Sequence, residues 1–255
     1  MSDIPPPVSD QPVLQLQDVE QSYGWSTVLR GVSIQVRRGE IAAVLGAKGA
    51  GKTTLLQTIS GMQSPQAGST VFKGENIAGV DPSQMVEQGL SHVAHGRAVF
   101  THLSADDNLR MGAYTRTDDQ GVAKDMDAMY RYFPVLRNCA NRPAGALSAY
   151  PQLLLAVACA LMANPDLLLL DDPVKGLTPV QSAEFMDRVV QINRERGIAM
   201  LVTEDGNGSH ALSIADYGYV LDKGRIVLEG TAATLREKIR FAAQGMPARR
   251  LQETM

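Results

Sequence analysis

Apolar and polar positions alternate through VLQLQDV and VSIQVRRGE, which predicts half-buried strands starting at Val13 and Val32. The pattern then changes. EIAAVLG, Glu40 to Gly46, is continuously apolar, as in a strand covered on both faces. It runs into GAKGAGKTT and then LLQTISGM, a helix-like segment that Gly61 can terminate. STVFKGENI predicts a hairpin, and from about Leu103 to Leu147 the chain reads as mostly helical, with Ser104 as N-cap and Asp107 in capping-box position. The apolar helix LLLAVACALMA, the strand DLLLLD, a helix from about Pro179 to Arg196 and the strand IAMLVTE come next. YGYVLDKGRIVLEG closes the pattern with two short strands around Asp222, Lys223 and Gly224. Strand, glycine loop and helix in succession open a parallel α/β unit. The predicted fold class is therefore α/β. It has a three-layer core with a mixed, mostly parallel sheet, a small N-terminal antiparallel β subdomain and a helical insertion at about 103–148.

With 255 residues, 44% hydrophobic and 20% charged, the chain has material for one large domain. A net charge of -3 with dispersed Lys and Arg implies no cationic face, so nucleic acid is not an expected partner. Cys139 and Cys159 form no metal-ligand spacing and suit a reducing cytoplasm; Cys159, inside LLLAVACALM, reads as a small packed side chain. MSDIPPPVSDQP lacks the build of a secretory signal, and no apolar run reaches the length of a membrane span, which predicts a soluble chain. Residues 1–12 are expected to be an extended leader, 13–236 the body of the domain, and 237–255 a solvated helical tail with a frayed end.

Gly46, Gly51, Lys52 and Thr53 fit G-x-x-x-x-G-K-[ST], preceded by a strand and followed by a helix. In such a loop backbone N–H groups converge on phosphate oxygens, the lysine reaches the terminal phosphates and the hydroxyl holds magnesium. Gly49, Ala50 and Thr54 belong to the same cradle, and Lys48 adds a cation beside it. This is a P-loop NTPase pattern, with ATP and Mg2+ as expected ligands. LLLLDDPVKGL then acquires a reading beyond the turn that Asp-Asp-Pro would itself signal. A buried strand delivers Asp171 to the magnesium side of the nucleotide, and Asp172, pointing elsewhere, can address the attacking water. A P-loop kinase or switch protein unrelated to transport remains open on these residues alone.

From about Val13 to Leu235 the chain resembles the nucleotide-binding subunits of ABC transporters, most closely those of branched-chain amino acid importers. SYG, GRAVFTHLSADDNLRMGAY, ALSAYPQLLLAVACALMANPDLLLLDDP, GLTPV and ADYGYVLDKGRIVLEGT carry the likeness. The resemblance implies that Tyr23 stacks on adenine and that two such subunits sandwich two ATP molecules. Ser148 then serves the opposite subunit's nucleotide. It also implies a permease of transmembrane subunits as partner, met by the helical insertion and the segment around Phe100, and a cytoplasmic location on the inner face of the membrane. Homodimer and heterodimer both stay open.

Several chemical positions depart from the family. Ser148, Ala149, Tyr150 and Pro151 stand where the signature has Ser-Gly-Gly-Glu or Gln; tyrosine adds bulk and proline has no N–H to donate. Asp172 replaces the catalytic glutamate, retracting the carboxylate by about 1 Å, and such a misplacement can cost ~10²-fold. His95 replaces a glutamine or glutamate, Glu204 falls on the switch-histidine position, and Val174 and Lys175 replace a polar or acidic pair. Glu204 is expected to confront the phosphate, and His210 to be an exposed loop histidine, with partial substitution for the switch histidine as its alternative. These departures gather at the chemistry while the scaffold matches. The expectation is an ATP-binding importer subunit with impaired hydrolysis; a fully active transport ATPase is the alternative.

Overall fold

The computed structural model describes residues 12–96, 99–206 and 208–243. The expected leader, apart from Pro12, and the tail beyond Ala243 lie outside the described residues. One sheet is antiparallel and small: β1 (Pro12–Tyr23), β2 (Ser26–Arg37), β4 (Ala67–Phe72) and β5 (Glu75–Asn76), in the order β2-β1-β4-β5. Trp25, at the turn between β1 and β2, is fully exposed. The other sheet contains β3 (Ile41–Gly46), β6 (Leu90–Val93), β7 (Leu167–Asp171), β8 (Ala199–Asp205), β9 (Tyr217–Asp222) and β10 (Arg225–Thr231). Its order is β10-β9-β3-β8-β7-β6, parallel throughout except for the β9–β10 hairpin.

The unbroken apolar runs follow from this layering. Successive side chains of a strand point to opposite faces, so a strand covered on both sides needs apolar residues at every position. Leu168 and Leu170 of β7 enter the core shared with the helices, whereas Leu167 and Leu169 face the core closed by the antiparallel sheet. Met200 and Val202 of β8 part in the same way from Ala199 and Leu201.

The helices are α1 (Lys52–Ile59), α2 (Pro82–Glu87), α3 (Ala105–Gly112), α4 (Asp119–Tyr132), α5 (Pro134–Asn138), α6 (Ala149–Met162), α7 (Pro179–Arg196), α8 (Ser209–Ile214) and α9 (Ala232–Ala243). Ser104 caps α3, accepting from the Asp107 N–H at 3.0 Å and donating its hydroxyl to Asp107 Oδ2 at 2.6 Å. α7 starts with a Thr178–Gln181 capping box, has Pro179 in its first turn and stops at left-handed Gly197. α6 begins four residues before its apolar run. Pro151 is tolerated there because first-turn N–H groups have no partner inside a helix. β2 also begins earlier than Val32, at Ser26, because β1 extends to Tyr23 and pairs it with Ser26. α9 runs through residue 236 and buries Leu235.

Strand β6 carries a histidine. His92 Nδ1 lies 3.0 Å from Ser60 Oγ at the end of α1, and its Nε2 is shielded without a hydrogen-bond partner among the described residues. Burial pushes the imidazole down from 6.5 to about 4, partly opposed by Asp171. In that window the unfolded chain takes up a proton that the folded one refuses. The contribution is thus present above pH 6.5 and lost as pH falls toward 4, with an upper size of about 3 kcal/mol. Urea unfolding between pH 4.5 and 7 should show stability rising with pH, and His92→Leu should flatten that slope.

Candidate phosphate-binding site

The parallel strands β3, β6, β7 and β8 bring their carboxyl ends to one edge, where ligands of open α/β sheets bind. There β3 hands over to the loop from Gly46 to Gly51, which leads into α1. Gly46 is required by close packing, since a Cβ would collide with the Leu221 carbonyl of β9. Gly51, the N-cap of α1, has φ 113°, a conformation that disfavours side chains. Lys52 is buried, and its Nζ donates to the carbonyls of Gly46 (2.7 Å) and Ala47 (3.0 Å). The same ammonium pairs with Asp205 Oδ1 at 2.8 Å. Lys48, Gly49, Gly51, Lys52, Thr53 and Thr54 line a recess of ≈ 390 Å³ together with His95, Asp171, Asp172, Lys175 and Asp205. Ala50 is buried behind the loop, with its carbonyl accepting from the Gly224 N–H at 3.0 Å.

Thr203 of β8 organises the two aspartates. Its hydroxyl donates to Asp171 Oδ1 at 2.9 Å and accepts from the Asp172 N–H at 3.0 Å. Asp171 Oδ2 is buried without a hydrogen-bond partner among the described residues and lines the recess together with Thr53. An orphaned carboxylate oxygen beside a hydroxyl fits a hard divalent cation such as Mg2+. No group of three or more His, Cys, Asp or Glu among the described residues could hold a metal ion. Phosphate oxygens and water would therefore have to complete its shell. Asp172 adopts φ 47°, a strained setting for a residue with a side chain. Its Oδ2 lies 3.4 Å from Lys175 Nζ. Burial, then the Asp205 charge, raises its carboxyl above the usual range, with Lys175 opposing.

Other expected positions need relocation. Alternation along β8 sends Glu204 and Asp205 to opposite sides. Glu204 Oε2 accepts from the Ala211 N–H at 2.6 Å, and Oε1 meets His210 Nδ1 at 2.9 Å, so this carboxylate caps α8. The expectation that Glu204 confronts the phosphate is thereby corrected: the β8 carboxylate in the recess is Asp205. His210 likewise belongs to α8, partly buried against Glu204, and is not an exposed loop residue. Tyr150 packs against the helical core, so its bulk is partly turned inward, whereas Pro151 still removes a donor from the start of α6. Ser148 is exposed at that helix start and does not line the recess. Tyr23, 44% exposed, lies outside the recess lining and donates to Gln57 Oε1 of α1 at 3.1 Å. His95 is exposed in the recess wall. Thr203 and Asp205 were missed from sequence; only the period of β8, counted from its end, could have separated Asp205 from Glu204.

Hydrogen bonding from Lys52, assisted by Lys175, holds the Asp205 carboxyl below its ordinary 3.8, against a smaller opposing effect of burial. A depressed carboxylate contributes stability that is present above the unfolded value and lost as pH falls through the folded one. Carbon-detected NMR titration should place the Asp205 midpoint below 3.8, and Lys52→Met should raise it.

Comparison with known proteins identifies the surrounding scaffold. The family model described as ABC transporter matches residues 29–175. The high-affinity branched-chain amino acid transport ATP-binding protein BraG of Pseudomonas aeruginosa is 37% identical over 91% of this chain and 100% of its own length. A probable branched-chain amino acid transport ATP-binding protein, LivF of Archaeoglobus fulgidus, is 33% identical over 89% of this chain and 96% of its length. Among solved structures, an ATP-binding cassette of an ABC transporter superposes with TM-score 0.81 at 21% identity, covering 93% of this chain and all of the other. A dimeric cassette in a post-hydrolysis state bound to ADP and Pi gives TM-score 0.76 at 20% identity, over 86% of this chain and 98% of the other. With more than half of the chain inside the family model and a relative matched along its whole length, this chain belongs to the ABC transporter family of ATP-binding proteins.

Proposed function

We propose that the chain is the ATP-binding subunit of an importer for branched-chain or related amino acids, binding Mg-ATP at the recess and hydrolysing it slowly. The solute class rests on the names of the two relatives. The observation that carries nucleotide binding is the convergence of the Gly46–Thr54 loop, the buried Lys52 and the orphaned Asp171 oxygen on one recess.

In this reading the loop amides and the start of α1 hold the β- and γ-phosphates, and Lys52 leaves Asp205 to reach them. Thr53 and Asp171 would hold magnesium, which supplies charge neutralisation at the transferring phosphate when bound. Tyr23 stacks on adenine after releasing Gln57. Ser148 and the start of α6 face a second copy or a related subunit, and the surface around exposed Phe100 and Tyr114 meets the permease.

Slow hydrolysis is supported by four features. Asp172 is shorter than the family's glutamate, its carboxylate is engaged by Lys175, and its backbone conformation fixes where it can reach. Pro151 removes one amide from the helix start offered to the opposite phosphate. Losing one preorganised donor costs about 10²- to 10³-fold, and defects sharing one site need not add.

The purified chain should bind Mg-ATP at millimolar or lower concentration in calorimetry. Its phosphate release should rise by roughly 10²-fold or more when Asp172→Glu is combined with Ala149→Gly, Tyr150→Gly and Pro151→Gln. Turnover by the unaltered chain near that of a competent transport ATPase would establish the fully active ATPase instead.

A further inference from the structure

Lys175 lies in the loop between β7 and α7. It follows β7 by four positions, and its ammonium lies inside the recess, 3.1 Å from Asp205 Oδ2 and 3.4 Å from Asp172 Oδ2. Asp205 Oδ1 holds Lys52 at 2.8 Å. One carboxylate therefore bridges two ammonium groups, and the outer cation stands a single carboxylate away from the lysine that reaches terminal phosphates. Val174, its neighbour, is buried in the helical core and anchors the loop from below.

Among the described residues, the charges lining the recess are the positive Lys48, Lys52 and Lys175 and the negative Asp171, Asp172 and Asp205. Without Lys175 the acidic groups outnumber the basic ones, an unfavourable field for a polyanion. With it the two are matched. An arriving phosphate must compete with Asp205 for Lys52, and with Asp205 and Asp172 for Lys175. Lys175 is 45% exposed, on a flexible four-carbon stem, so its ammonium can turn from carboxylate to phosphate without moving the backbone.

Building on the nucleotide reading above, we propose that Lys175 is a second phosphate-binding cation. It contacts the terminal phosphate of the nucleoside triphosphate held by its own chain, and this tethered charge lessens the dependence of binding on a divalent ion.

The test is calorimetric titration of ATP and ADP into the full chain and into Lys175→Met and Lys175→Arg, each in Mg2+ and in EDTA. The wild type should keep ATP binding in EDTA within about tenfold of its affinity in Mg2+. Lys175→Met should weaken ATP binding in EDTA by roughly tenfold or more, the size expected for one charge-assisted contact, with a smaller loss in Mg2+ and for ADP. Lys175→Arg, which keeps the charge, should retain most of the affinity. Unchanged ATP binding by Lys175→Met in EDTA overturns the proposal, as does wild-type binding that vanishes in EDTA. Loss in Lys175→Arg equal to that in Lys175→Met would mean that packing, not charge, is responsible, and also overturns it. Absence of nucleotide binding by the wild type under every condition would instead overturn the nucleotide reading itself, and this inference with it. Circular dichroism and thermal unfolding of each variant separate these outcomes from misfolding.

Discussion

A strand buried on both faces can place a charge only at its end. Ionised groups left in the apolar layers would lose several kcal/mol of hydration each, so the polar chemistry of this molecule is pushed to the edge where the parallel strands stop. β3 ends in the phosphate loop, β7 in Asp171 and β8 in Asp205, while the turn after β6 supplies His95. The registers set these ends side by side, with Asp171 opposite Thr203 and Gly46 opposite Asp205. One constraint on solvation thereby assembles residues from four distant stretches of chain.

The charges at this edge satisfy one another. Lys52, Asp205, Lys175 and Asp172 form an unbroken alternating row, and Thr203 binds the backbone of Asp172 to the side chain of Asp171. The lysine of the phosphate loop thus rests on protein oxygens in the isolated chain. Asp171 contrasts with this row, because its buried Oδ2 has neither a hydrogen bond nor an ion pair among the described residues, whereas Asp172 Oδ2, likewise without a hydrogen bond, faces the Lys175 ammonium at 3.4 Å.

The parts of this arrangement governed by local rules could be read from sequence. Continuous apolar patterning gave β3 and β7, the glycine and lysine spacing gave the loop, and the helix expected from about Pro179 to Arg196 coincides with α7. β6 was missed because Ser91 and His92 interrupt so short an apolar run, and its strand character comes from pairing with β7. The choice between Glu204 and Asp205 was missed for a different reason. Adjacent carboxylates look alike in sequence, and which one enters the recess depends on the orientation of β8 against β3. The inward turn of Tyr150 likewise depends on the helical core that receives it.

The solvent-exposed indole of Trp25 has an optical consequence. As the chain's sole tryptophan, beside the end of β1 that carries Tyr23, it makes the emission spectrum of the folded protein report on one location. In water that emission is red-shifted and easily quenched by small solutes. Any base, subunit or membrane-bound chain that covers the β1–β2 turn will announce itself as a shift to the blue, with no added dye.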